Sequence, residues 1–118
     1  VISELQNGES VPLFTDQFVT PSRAGQAAGT IFELNMDDRS GIYHVACRDC
    51  VTPYQFGKQI ADRLGKLDLI SKSNQDEVNR LAPRPTHTCL NVEHTEQTLD
   101  RAQPTLASDL DELNFDQI

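Results

Sequence analysis

His44, Cys47 and Cys50 stand in the order H-x2-C-x2-C, and His87 and Cys89 follow as H-x-C. Zinc takes four such ligands, and two cysteines separated by two residues are a common half-site. The second half is poorer. His87 and Cys89 alternate along an extended segment and so share one face, but nothing in the sequence places that face near Cys50. A redox Cys-x-x-Cys needs a helix N-terminus just after its first cysteine, and here the next helix begins only after Cys50. The plainer expectation is that the three cysteines are small apolar fillers. Their odd number argues against a disulfide framework and fits a reducing cytoplasm.

Tyr54 and Lys58 form a Y-x3-K pair. Residues four apart share a helix face, so a lysine there can lower the pKa of a tyrosine acid. In dehydrogenases such a pair works beside a dinucleotide held at a glycine-rich strand-to-helix turn. No G-x-G-x-x-G occurs in this chain, and Tyr54 follows a proline at a helix start, where an aromatic packs down. Catalysis by this pair is not expected. Ser22, His44 and Asp49 supply the residue types of a hydrolytic triad, but the G-x-S-x-G elbow is lacking. None of the 18 acidic residues stands out as a carboxylate pair.

The elements around these residues alternate between strand and helix, which favours an α/β fold. Residues 1–5 read as the tail of a helix that Asn7-Gly8 ends. Residues 11–14 read as a strand with Pro12 near its start, Asp16-Gln17 as a turn, and 18–20 as extended ahead of Pro21. The spacing predicts a helix over 24–36, with Ala24, Ala27, Ala28, Ile31, Phe32 and Leu34 near one stripe. A polar turn covers 37–41. Residues 42–46, Ile-Tyr-His-Val-Ala, are the clearest strand. Thr52 caps a helix over 54–64 with Pro53 at its first position, and Gly65 stops it. A short strand follows over 67–70 and a helical turn or two within 73–81. Ala82 to Pro85 is extended and Thr88 to Leu90 continues it. Short helices close the chain over 93–99 and 106–113.

At 118 residues there is room for one small domain. Apolar residues make up 37% and charged residues 24%, the balance of a globular chain. No run approaches the roughly 20 apolar residues of a membrane span. The first residues lack the basic and apolar regions of a signal peptide, and there is no initiator Met, as expected of a piece of something longer. The formal net charge of −8, with its basic residues scattered singly, argues against nucleic acid as a partner. An acidic surface of this kind suits high salt, which screens its self-repulsion; an ordinary acidic cytosolic protein is the alternative.

Four ordered segments carry a resemblance. Gly41-Ile42-Tyr43-His44-Val45-Ala46, a short loop, then Val51-Thr52-Pro53-Tyr54-Gln55-Phe56-Gly57 and Ile60-Ala61 closely resemble a stretch of the dTDP-4-dehydrorhamnose reductase family. Upstream, Pro12-Leu13-Phe14-Thr15-Asp16-Gln17-Phe18-Val19-Thr20-Pro21-Ser22 looks like that family's D-Q-x-x-S-P-T region. The alanine-rich helix lies between them. Downstream, Ala82-Pro83-Arg84-Pro85 to Thr88-Cys89-Leu90 looks like its A-R-P-x-x-x-S-L-D. The match spans about residues 1–113. It departs in three places. Gly25-Gln26 stands where the family has an acidic helix start, Asn91 stands for the Asp after S-L, and Cys47-Arg48-Asp49-Cys50 replaces a glycine-rich turn.

The resemblance implies the C-terminal, substrate-side portion of an extended short-chain dehydrogenase/reductase. An N-terminal Rossmann domain, absent from this chain, would hold NADP or NAD and the catalytic Tyr/Lys pair. This chain alone would bind no cofactor and carry no catalytic residue. Helix 24–36 and strand 42–46 would return to the Rossmann sheet, while 11–20 and 67–90 would build the lobe over a nucleoside-diphosphate sugar. Arg84 is the implied contact to the pyrophosphate, whose charge suits a guanidinium. Gln17, Thr20 and Ser22 are candidates for hydrogen bonds to sugar or nucleotide. A cytoplasmic location follows, with a homodimer as one arrangement left open. Rival readings are a non-catalytic sugar-nucleotide-binding or regulatory subunit of the same fold, a nucleotide-sugar epimerase or dehydratase, and an independent small acidic α/β protein. A glycine-rich fingerprint and a second Y-x3-K encoded upstream would favour the enzyme, and their absence the binding module.

Overall fold

A computed structural model describes residues 1–36 and 39–113. The most completely specified element is the helix Pro53–Leu64 (α3), because its signals are local. The Thr52 hydroxyl accepts a hydrogen bond from the Gln55 N–H at 3.1 Å, and the Gln55 side chain accepts one from the Thr52 N–H at 2.9 Å. These two bonds close a reciprocal capping box. At the other end Gly65 adopts φ 68°, and the Lys66 N–H reaches back to the Ala61 carbonyl. A residue without Cβ takes that left-handed conformation most readily.

Helix α3 turns Gly57, Ile60 and Ala61 inward. They meet the strand Val11–Phe14 (β1), the strand Ile70–Ser73 (β2) and the helices Ile2–Gln6 (α1) and Leu106–Glu112 (α5). The buried centre comprises Leu5, Val11, Cys47, Ile60, Ala61, Leu106 and Leu110. Strands β1 and β2 run parallel, with Val11 opposite Ile70 and Phe14 opposite Ser73. Parallel strands need a long crossover, and α3 lies within it. Among the described residues each strand of the pair keeps one free side, which is why Pro12 is tolerated in β1.

The second strand starts later than its sequence suggests. The apolar run 67–70 is mostly a 3₁₀ turn over Leu67–Leu69, closed by the Leu69 N–H on the Lys66 carbonyl. Pairing continues instead through Ser71, Lys72 and Ser73, whose polarity hid the strand. The helical turn expected within 73–81 is the 3₁₀ turn Gln75–Glu77.

A second, irregular layer forms around the extended residues 18–20. Phe18 makes a parallel bridge to His87, and Val19 an antiparallel one to Val51. Three distant segments are therefore laid side by side, with 18–20 in the middle.

The largest departure concerns residues 42–46, which form no strand. Their β-branched and aromatic composition suits a sheet, but a strand needs a partner edge for its N–H and C=O groups. Among the described residues none lies alongside. Ile42 is 84% exposed, and the His44 carbonyl accepts from the Thr95 hydroxyl at 2.7 Å. The neighbouring helix Ala24–Met36 (α2) forms as expected; of its predicted stripe Leu34 is buried, together with Thr30, while Ile31 and Phe32 stay exposed. Thr30 is held by Gln103 and Arg101, which fixes the inward face and leaves Ile31, Phe32 and Met36 open. Of the polar turn expected over 37–41, residues 37 and 38 lie outside the described residues.

The helix Glu93–Leu99 (α4) begins where Asn91 accepts from the Glu93 N–H at 2.9 Å, so the amide does the work of an acidic acceptor there. The chain measures 46 × 35 × 19 Å and exposes 7576 Å². A monomer of its 13.2 kDa mass exposes roughly 6400 Å². About 1200 Å² is thus open beyond the usual.

Candidate functional site

Segment 75–86 leaves a recess of about 470 Å³ against the end of β1. Its polar walls come from Asp16, Gln75, Asp76, Arg80, Arg84 and Thr86. Asp16 fixes one side, since its carboxylate accepts the Gln75 N–H at 3.0 and 3.1 Å and its carbonyl accepts from the Gln75 side chain. The stretch Pro83-Arg84-Pro85 forms neither helix nor strand after a bend at Ala82, and it carries Arg84 exposed on the rim. Arg80 lies over the Phe14 ring at 5.1 Å. Its Nη1 is buried with no hydrogen-bond partner among the described residues. A guanidinium nitrogen left unmatched in a recess has donor capacity for an anion.

Sequence reasoning singled out Arg84 but missed Arg80. The signal was a pair of arginines four residues apart in a strongly acidic chain, read there only as scattered charge. The other implied contacts do not line this recess. The Ser22 hydroxyl donates to the Thr20 carbonyl at 3.1 Å and accepts from the Cys47 N–H at 3.0 Å. The Thr20 hydroxyl accepts from the Leu90 N–H at 3.5 Å. Gln17 is half-buried between Asp16 and the bridged Phe18.

The other tempting residues are dispersed. The Tyr54 ring faces Lys72, whose Nζ lies 5.5 Å from its centroid. Asp49 accepts the Leu106 N–H at 2.8 Å and so caps α5, while His44 Nδ1 sits 3.3 Å from the Asn91 carbonyl oxygen. No triad assembles from Ser22, His44 and Asp49.

The cysteines require a correction. H-x2-C-x2-C does not converge, but Cys50 and Cys89 are joined by a disulfide. Cys47 alone is the apolar filler, 1% exposed, and burial raises its thiol above the ordinary value. An odd cysteine count forbids full pairing, not one pair. His87 and Cys89 do share a face, and the face lies beside Cys50, with His87 Nε2 3.8 Å from its sulfur. The ladder 51–19–18–87 brings them together, a non-local pairing that spacing alone does not disclose.

The model of the RmlD substrate binding domain family matches residues 1–116. The chain is 46% identical over 111 residues to the "Probable low-salt glycan biosynthesis reductase" of Haloferax volcanii, covering 93% of this chain and 37% of that protein. In fold it is similar to dTDP-4-dehydrorhamnose reductase from Bacillus anthracis, with TM-score 0.82 and 19% identity over 93% of this chain and 39% of that one. The Yersinia enterocolitica reductase gives 0.81 at 19%, over 93% of this chain and 40% of that one. A dTDP-glucose 4,6-dehydratase from Bacillus anthracis gives 0.72 at 18%, over 94% and 35%. The chain therefore spans well under half the length of these relatives.

Proposed function

Because the chain belongs to the RmlD substrate binding domain family, we propose that it is the substrate-side portion of an NAD(P)-dependent nucleotide-sugar reductase. The observation that carries this reading is the recess walled by Arg80 and Arg84, in a chain 46% identical to a reductase. Two guanidinium groups suit the pyrophosphate of a nucleoside-diphosphate sugar, and Arg84 can meet it with a planar fork. Gln17, Thr20 and Ser22 are kept as contacts to the sugar or nucleoside, reached along the 18–20 segment.

The residues present do not build a dinucleotide cradle. β1 runs into Thr15-Asp16 rather than a glycine-rich turn, and α3 is opened by Thr52-Pro53. NADP or NAD would be held by a Rossmann domain elsewhere in the parent and would supply the hydride. This chain's own part is to bind and orient the sugar nucleotide. The open residues Ile31, Phe32, Met36 and Ile42 are the face proposed to receive that domain. The surface excess of about 1200 Å² falls in the roughly 600–1,500 Å² range of interfaces between domains. A cytoplasmic setting is part of the proposal, and the acidic surface together with the Haloferax relative supports a high-salt one. No helix among the described residues is long and apolar enough to cross a membrane.

The 46% identity to a reductase favours reduction. The test is turnover by the full-length protein, given a nucleoside-diphosphate 4-keto-sugar and NADPH or NADH. Oxidation of the nicotinamide with stoichiometric reduction of the keto-sugar is expected. Tight binding without turnover would instead establish a binding or regulatory subunit.

A further inference from the structure

The disulfide Cys50–Cys89 spans 39 residues of sequence and occupies a particular place. Cys50 precedes Val51, which exchanges both backbone hydrogen bonds with Val19, at 2.8 and 2.9 Å. Cys89 follows Thr88, whose N–H donates to the Phe18 carbonyl at 2.9 Å, while the Phe18 N–H donates to the Thr86 carbonyl at 2.7 Å. The covalent bond thus joins the two outer segments across the middle one. Cys50 is exposed and Cys89 partly so. Beside Cys50 stands His87, which also stacks on Phe18 at 5.7 Å between ring centroids.

We propose that Cys50 and Cys89 form a reversible thiol–disulfide centre that locks residues 18–20 between their two neighbours. The oxidant is a low-molecular-weight disulfide. The Cys50 thiolate, next to the His87 imidazole, attacks one sulfur of that disulfide and releases the other as a thiolate. The mixed disulfide on Cys50 is then attacked by the Cys89 thiolate, which forms the intramolecular bond and expels the second small thiolate. Two protein thiols are oxidised, one small disulfide is reduced to two thiols, and the protein's two protons pass to them. Exposure of Cys50 gives the small disulfide access to its sulfur. Cys47 takes no part, being enclosed in the core.

Oxidation braces the ladder, because the outer segments can no longer separate from each other around 18–20. Reduction leaves that segment to a few backbone hydrogen bonds, and local opening becomes easier. This staple stands on the geometry alone. A further effect on sugar-nucleotide affinity rests on the function proposed above, since Gln17, Thr20 and Ser22 lie in or beside the locked segment.

The test uses the full-length protein equilibrated in reduced and oxidised glutathione at a series of ratios, acid-quenched, alkylated with iodoacetamide and read by peptide mass spectrometry. Cys50 and Cys89 should gain and lose label together with one midpoint. Amide hydrogen exchange at Phe18, Val19 and Thr88 should run at least about tenfold faster in the reduced protein. Cys50→Ser should exchange at the reduced rate in both buffers. Independent labelling of the two cysteines would overturn the centre, and equal exchange in the two redox states would overturn the lock. A third result would also defeat it. Cys50, His87 and Cys89 offer three ligand atoms within 4.8 Å of one another, so a reduced protein that keeps one zinc per chain after dialysis and resists reoxidation holds a metal centre instead. Affinity for the sugar nucleotide, measured in both states, separates the two readings. Faster exchange with unchanged affinity leaves the staple standing and removes the 17–22 contacts from the function.

Discussion

Gly57 of α3 lies so close to Leu13 of β1 that a β-carbon at position 57 would overlap the leucine side chain. With no side chain at position 57 the helix seats against the Leu13 methyl without displacing it. Gly57→Ala gains helix propensity of up to about 1 kcal/mol but forces Leu13 out of its seat, at about 1–3 kcal/mol. A net loss of about 1 kcal/mol is expected in denaturant unfolding. Pairing it with Leu13→Ala should relieve the clash, giving a coupling of about 1 kcal/mol between the two sites. Additive effects would mean the contact is looser than described.

Arg84 stands on the rim of the recess, remote from any reacting carbon, and stabilises ground and transition states alike if it holds a pyrophosphate. Arg84→Ala in the full-length protein should raise KM about ten- to a hundredfold while kcat moves less, since a hydrogen bond to a charged group contributes about 1.5–3 kcal/mol. Arg84→Lys should recover part of this, because an ammonium cannot make the bidentate fork. Arg80→Ala should weaken binding in the same direction. Steady-state kinetics with the intact sugar nucleotide decide it, and an unchanged KM in both variants removes the recess from the site.

Tyr54 packs its ring toward Lys72 rather than into the recess. Tyr54→Phe keeps the ring and should leave turnover of the full-length protein within about twofold. A fall of about a hundredfold, the scale of lost acid–base catalysis, would make Tyr54 a proton donor.

Acid should loosen the junction between α2 and the segment before α5. Arg101 hydrogen-bonds Glu33 at 2.7 and 3.1 Å, and that bond holds the Glu33 carboxyl below its ordinary value of 4.5. A depressed folded-state pKa stabilises above the unfolded value, and the stabilisation is lost as pH falls through the folded one. Stability of the wild type should therefore fall more steeply below about pH 4.5 than that of Glu33→Gln. The difference should be small, because the pair is exposed and salt screens it. Unfolding midpoints at pH 7 and pH 3.5, at low salt, would show it.

How much of this was legible depends on where each signal resides. Helix α3 is written locally, from Thr52-Pro53 to Gly65, and its boundaries were read nearly to the residue. Strand 42–46 was the strongest β pattern and is absent, because pattern supplies a face but not a partner. Strand β2 was misplaced by three residues because its paired positions, Ser71 to Ser73, are polar. The recess was half-read. Arg84 announced itself through flanking prolines and the family resemblance, whereas Arg80 acquires meaning only from its seat over Phe14. The disulfide was misread because a count of cysteines carries no distances.

The open face of α2 bears on which substitutions this chain tolerates. Ile31, Phe32 and Met36 are more than half exposed, so by accessibility they resemble positions free to vary. If that face receives a second domain, these side chains are half of a core whose other half lies elsewhere, and polar replacements there should be as damaging as replacements at Leu34. A mutational scan of the parent would then find selection strongest where this chain alone looks most permissive. Accessibility ranks tolerance correctly only when every surface that excludes water in the working protein is counted.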